Sequence, residues 1–497
     1  MTPVTTPVDG GQDDGRRTAR PGRRSVLMAA GAALALSGTF GATAVATPRQ
    51  RGTTAGGHPT DGLWRMDGYG MVVRIQNGVL RGWDTTAISC LPALNAPQQG
   101  AVGPDGAVRF EADDMAFTVR PQAKNRATLL AHGTAADRDL HRIHALPPNC
   151  GRPGATGPLA DFDVFWQTFA EQYAFFQSRG VDWHRARATY RPRITARTRP
   201  AELFDTLAEM IAPLHDAHVA LVANSPDFQR GVDLIRPGTV GPDEAYEAKT
   251  RQFIERRDLG GRPLESHAQG AIGYADLPGD LGYLRINRFA GYVDNRGRYD
   301  DDAAELERVL DRIVTRARTA GPGRWRGLII DVRVNAGGYD PLGLAIASRL
   351  TDHSYTAFTK QARNDPRDDT RFTRRRTARV QPSAPGTPRY DGPVALLISG
   401  ATVSAGETFT HALQERPAPT TLIGENTQGV FSDTLGRELP NGWRFTLSNE
   451  RYTDPRGRCF EGPGIPADIT TPVFTDEEFA ADRDTAFDRA KEILARR

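Results

Sequence analysis

Apolar residues are distributed along the chain with two distinct periods. Short uninterrupted runs, Leu281-Gly-Tyr-Leu-Arg-Ile286, Arg326-Gly-Leu-Ile-Ile-Asp331 and Val394-Ala-Leu-Leu-Ile398, have the length and aliphatic content of strands buried on both faces. Between the first two, Leu306, Val309, Leu310 and Ile313 recur at three and four, which predicts a helix over 301–320. A strand-helix-strand order at this spacing predicts a parallel sheet layered with helices. Upstream, Phe162, Phe165, Trp166, Phe169, Tyr173 and Phe176 form an aromatic stripe at helical spacing. Leu203, Leu207, Met210, Ile211 and Leu214 form a second stripe. Both belong to a helical segment over 158–223 that ends in a strand carrying His218. Over 62–150 the runs are short and alternating, as in Met71-Val-Val-Arg-Ile75 and Ala116-Phe-Thr-Val119, and Gly and Asp turns divide them. That pattern predicts a small β-rich domain. Residues 224–280 carry the weakest signal and read as a connecting region. The core then extends over 281–475, and an amphipathic helix over 476–497 closes the chain.

Composition narrows the class. With 497 residues, 39% hydrophobic and 25% charged, the chain is long enough for two or three domains with substantial cores. A net charge of +3 gives no footprint for nucleic acid or an anionic surface. Residues 1–46 read as an export signal. Arg23-Arg24 precede an uncharged run rich in Ala and Gly that closes in Ala44-Val45-Ala46, the pattern of the twin-arginine route. The alternative is a retained anchor, although the run is short and Pro48 follows it; no other segment is apolar enough to span a bilayer. Residues 47–61 form a Pro, Gly and Thr-rich linker. An exported chain meets an oxidising compartment, and of Cys90, Cys150 and Cys459 the first two bracket one segment and make the expected disulfide. No Cys and His cluster has metal-ligand spacing, and no organic cofactor is implied. The arginine-rich stretch 371–379 reads as an exposed, solvated insertion.

Chemistry concentrates at the ends of two buried runs. After Ile398 the chain passes through Gly400 to Ser404, and Thr408, Phe409, Ala412 and Leu413 then follow at helical spacing. A serine at a helix start is either an N-cap or a nucleophile beside backbone N-H groups that can stabilise an oxyanion. The run ending at Asp331 leads to Asn335 and the pair Gly337-Gly338, where a ligand can approach the backbone closely.

The combination of strand-Asp-Xaa-Arg-Xaa-Asn-Xaa-Gly-Gly with strand-Ser-Gly-Xaa-Xaa-Xaa-Ser-Ala-Gly-Glu resembles the tail-specific (carboxy-terminal processing) and tricorn-core serine peptidases. The resemblance extends over about 158–475. It implies an α/β fold with a ClpP/crotonase-like layered catalytic core, and an acyl-enzyme on Ser404 acting on a peptide or protein. Processing peptidases place a lysine beyond the nucleophile, but no lysine lies between Ser404 and Lys491 here. Tricorn-like relatives instead use a histidine from the preceding segment, and His218 occupies that place after Asp216-Ala217. A histidine can accept the serine proton and return it to the leaving amine. Glu461 matches the family's glutamate, with Glu450 in reserve. The chain has Ala217 where tricorn has a serine, so Glu461 would reach His218 through another hydroxyl or a water, or be structural. The oxyanion donors implied are the N-H groups of Ala405 and Gly338, with Gly337 as the neighbouring candidate. Asp331 and Arg333 read as fixing strand and loop. The interval 224–280 is too short for the PDZ module many relatives carry, so none is expected. Two rivals remain at this level. One is a non-catalytic ligand-binding module of the same fold, as in retinoid-binding repeats. The other is an esterase or amidase using the same serine.

Overall fold

The computed structural model describes residues 58–293 and 298–496. The expected signal peptide and most of the linker lie outside the described residues.

Eight consecutive antiparallel strands, Gly62–Met66 to Arg138–Ile143, close into a barrel in sequence order. Leu63 of the first pairs with Ile143 of the last. Alternation drives this closure: Val73, Ile75, Leu80, Phe110, Val119 and Leu140 are buried within it, and polar neighbours point outward. Closure leaves few unpaired edge groups in a unit this small. A disulfide from Cys90 to Cys150, Cα atoms 4.8 Å apart, ties the strand Cys90–Gln99 to the segment that leaves the barrel. Closing a loop of this length typically stabilises by about 2–4 kcal/mol. Reduction, or Cys90→Ala with Cys150→Ala, is therefore expected to lower the thermal midpoint of the barrel, measured by calorimetry with and without dithiothreitol.

The aromatic stripe folds as the helix Pro158–Gln172, which buries Phe162, Phe165 and Phe169. Phe169 packs on Phe445 and Trp183 with ring centroids 5.8 and 5.1 Å away. The helix thus seats itself on a four-stranded sheet in which Ala220–Ser225 lies between Phe228–Asp233 and Arg444–Ser448. That sheet carries the His218 end of the segment.

Behind it stands a seven-stranded sheet. Its centre is parallel: Leu281–Ile286, Gly327–Asp331, Val394–Ile398, Thr420–Gly424 and Ile469–Thr470 lie side by side. Successive residues of each central strand serve opposite layers. Leu328, Ile330, Leu396 and Ile398 pack with Leu310 and Phe409, whereas Ile329, Ala395 and Leu397 pack with Phe487 and Leu494 of the last helix. Burial on both faces accounts for the continuous apolar runs. The layered α/β core, the helical segment before it and the β-rich amino-terminal unit agree with the fold class read from the sequence.

Several local expectations change. The helix over 301–320 is two, Tyr299–Ile313 and Arg316–Ala320, because Thr315 caps the second through the Arg318 N-H. The final helix likewise divides into Asp476–Ala480 and Thr485–Ala495, where the Asp484 side chain accepts from the Phe487 N-H. Residues 224–280 are more than a connection: Glu244–Phe253 is a helix, and Ile272–Leu277 is a strand of the main sheet. The arginine-rich stretch includes the strand Arg376–Val380, and Arg374 and Arg376 both reach Asp139 of the barrel at 2.8 Å. Arg333 is fully buried between Asp331 and Asp484, at 2.6 and 2.7 Å. It locks the last helix to the sheet end that precedes Gly337-Gly338. No described helix is long and apolar enough to cross a membrane.

Candidate active site

Ser404 stands between the two-residue strand Ala401–Thr402 and the helix Ala405–Gln414, with φ 57° and ψ −118°. A non-glycine residue at positive φ is strained and persists where its surroundings over-determine it. Here Glu407 does so. It is fully buried, and its carboxylate accepts the N-H groups of Gly429 at 2.7 Å, Val430 at 2.8 Å and Ser404 itself at 3.3 Å. Burial pushes the Glu407 carboxyl up to about 7, although those N-H groups pull the other way. The first turn of the serine helix is thereby tied to the 427–430 loop.

The glycine pair approaches from the neighbouring strand. Asn335 donates from Nδ2 to the Ile286 carbonyl at 2.8 Å and accepts the Gly337 N-H at 2.9 Å. A Cβ on Gly337, at φ 77°, would lie 2.7 Å from the Ser404 Cβ. The chain can pass this close to the serine only without a side chain. Since Asn335 occupies the Gly337 N-H, that group is not a free donor. Among the described residues, no acceptor meets the N-H of Gly338 or of Ala405.

His218 lies in the turn just before the strand Ala220–Ser225 of the four-stranded sheet, rather than in the strand itself. Its backbone N-H donates to Asp216 Oδ1 at 2.9 Å, and its carbonyl accepts from the Thr446 hydroxyl at 2.8 Å. The side chain lines a cavity of about 220 Å³ together with Ser404, Gly338, Val403, Gln428 and Asp433. Residues 218 and 404, carried by separate parts of the fold, thus share one hollow. Burial lowers the pKa of the His218 ring below its ordinary value. Asp216, Asp433 and the Ser432 carbonyl oppose that shift.

Glu461 is buried behind this site, with Oε2 on the Phe431 N-H at 2.9 Å and Oε1 3.6 Å from Arg179. It is not a hydrogen-bond partner of His218. Burial and the neighbouring Asp216 raise its pKa well above the carboxylate range. Asp216, fully buried, also accepts the Tyr173 hydroxyl at 2.9 Å. A cluster of Asp216, Tyr173, Arg179 and Glu461 therefore backs the histidine. Glu450, the reserve carboxylate, belongs to a different cluster, where it accepts from the Tyr69 hydroxyl and from Lys360 Nζ at 3.1 Å.

Lys360 also donates to Asp433 at 2.7 Å. Although burial works against its charge, the two carboxylates raise its pKa above the ordinary lysine value, so it stays an ammonium and cannot serve as a base. Burial pushes Asp433 up, but Lys360 outweighs it and holds the carboxyl below the usual range. Asp433 is thus an anion on the wall beside His218. Sequence reasoning assigned no role to Glu407, Asp216, Arg179 or Asp433. Glu407 and Asp216 stand inside the quoted motifs and could have been weighed there. Arg179 and Asp433 carry no sequence signal.

The layered core with its strand-Gly-Gly and strand-Ser loops defines an α/β peptidase-like scaffold. Residues 280–471 match the model of peptidase family S41, and residues 158–212 match the tricorn protease C1 domain. A carboxyl-terminal-processing protease of Picosynechococcus sp. is 26% identical over 192 residues, and a carboxy-terminal-processing protease of Bartonella bacilliformis is 25% identical over 193. Each alignment covers 39% of this chain and 39% of the relative, so the likeness spans about two fifths of those proteins. A solved structure from Parabacteroides merdae shares the fold, with TM-score 0.55 and 23% identity over 68% of this chain and 97% of that one. Residues 280–471 are thus similar to the peptidases of family S41, and the segment before them to a domain of tricorn protease.

Proposed function

We propose that the protein is an exported serine peptidase that cleaves peptide bonds through an acyl-enzyme on Ser404, with His218 as general base and then general acid. The observation that carries this reading is the shared cavity of Ser404, His218 and Gly338. A hydroxyl is a weak nucleophile until its proton is taken. Two imidazoles line that hollow, and while His132 is engaged by Thr118 and Asp300, His218 is the one assigned to the serine. On attack, the Ser404 oxygen bonds the carbonyl carbon and its proton passes to His218. The oxyanion develops toward the Ala405 and Gly338 N-H groups, which have no other acceptor among the described residues. Collapse expels the amine, which takes the proton from His218, and water then repeats the sequence on the ester.

Asp433 and Asp216 favour the imidazolium formed in each step, and Glu461 would act through Arg179 and Asp216 as a positioning residue. Export by the twin-arginine route rests on Arg23-Arg24 and the run that follows them.

A fluorophosphonate probe tests the assignment. It should label the wild type covalently and leave Ser404→Ala unlabelled. Equal labelling of both would return the chain to a ligand carrier or move the nucleophile elsewhere. The pH profile offers a second check. A base must be neutral to accept a proton, and burial lowers the His218 pKa. The acid limb of kcat/KM should therefore fall below the ordinary histidine midpoint of about 6.5. Asp433→Asn removes an anion that favours the charged ring, so it should move that limb to still lower pH.

A further inference from the structure

The cavity has two sides, and one of them is the barrel. Its rim presents Met115, Phe117 and Ala131 to the same hollow that Ser404 and His218 line. Met115 and Phe117 lie two apart on one strand, Met115–Pro121, and so share the face that packs with the barrel core.

The rim is held in place. Asp300 accepts from Arg109 Nη2 at 2.6 Å and lies 3.1 Å from His132 Nδ1. Gly133 sits so close to Tyr339 that an added Cβ would fall 2.3 Å from its ring. Tyr339 follows Gly338 directly, so the rim abuts the oxyanion loop.

A second wall comes from Leu234 and Ile235. Ile235 is 42% exposed and is one of few large apolar side chains left in solvent; Val240, on the same segment, is another. Arg236 anchors this segment to the serine side by donating to the Pro463 and Thr427 carbonyls at 2.8 and 2.9 Å. Two apolar surfaces of independent origin thus line the hollow that holds the nucleophile, and apolar lining beside a few polar groups marks a binding surface.

We propose that the barrel is the specificity wall of the enzyme: Met115 and Phe117, with Ile235 of the second wall, form the subsite for an apolar side chain flanking the scissile peptide bond. This rests on the Ser404 reading and adds what the substrate must carry. Apolar complementarity at one side chain discriminates by about 10–200-fold. Short fluorogenic peptides differing at the flanking residue, Leu against Asp, are the substrates, and kcat/KM is the readout.

The wild type should favour Leu by at least about tenfold. Met115→Glu and Ile235→Glu should each erase about tenfold of that preference. The rate of labelling by a small fluorophosphonate should stay within about twofold, because that probe needs the nucleophile, its base and the oxyanion donors but no flanking side chain. Ile235 is partly exposed, so its variant keeps the test valid if Met115→Glu fails to fold. Unchanged Leu to Asp ratios with labelling intact would overturn the specificity wall alone. Absence of labelling in the wild type would overturn the serine reading, and this proposal with it.

Discussion

His218→Gln is expected to lower kcat for peptide hydrolysis by about 10⁴-fold or more, with little change in KM, and Ser404→Ala by a similar factor. The magnitude follows from their acting as a unit. Without the imidazole the hydroxyl keeps its proton, and without the hydroxyl the imidazole has nothing to activate. The double variant should therefore fall to the same floor as either single one. Glutamine retains the bulk of the ring, and the contacts that fix this segment, His218 N-H to Asp216 and His218 carbonyl to Thr446, belong to the backbone and survive the change. Purified variants assayed on one peptide under saturating and limiting conditions separate kcat from KM. A rise in KM with kcat unchanged would assign His218 to binding.

The second large effect is at Gly338, where φ is 134° and a Cβ would fall 2.3 Å from the Phe289 carbonyl oxygen. That carbonyl accepts the Tyr339 N-H at 2.8 Å, and the Phe289 N-H donates to Gly337 at 2.6 Å, so the clash strikes the pairing that aims the loop. Gly338→Val should turn its own N-H away from the reacting carbonyl and cost about 10²–10³-fold in kcat, the range for loss of one oxyanion donor. Removing a donor that acts mainly in the transition state spares the ground state, so KM should change far less. Labelling of Ser404 by fluorophosphonate should slow in parallel, since the tetrahedral adduct uses the same donors. Retained kcat in this variant would leave Ala405 with a different partner.

The elements that carry this chemistry were legible for a physical reason. Strands 327–331 and 394–398 are buried on both faces, and such strands must be apolar throughout. Their abrupt ends at Gly337-Gly338 and Ser404 therefore stand out. The barrel was visible only as β-rich, because alternation reports a half-buried strand but not whether the sheet closes. That Leu63 pairs with Ile143 depends on a contact between the ends of the unit. Helix breaks at Thr315 and Asp484 were missed because a cap inside an apolar period does not interrupt the period. Arg179, Asp433 and Lys360 were beyond reach for another reason. Their roles exist only where distant segments bury unlike charges together, and a lone Asp or Lys in sequence looks like a solvated one. The same holds for Glu461, whose place in the motif was readable but whose partners, Phe431 and Arg179, were not.

Rapid-quench kinetics with an activated ester, followed by mass spectrometry of the protease-digested protein, address the central claim most directly. The account predicts a burst of product close to one equivalent per active site and an acyl mass on the peptide that contains Ser404, with neither in His218→Gln on the same time scale. An acyl group on another residue, or turnover with no covalent species at any time, would contradict it.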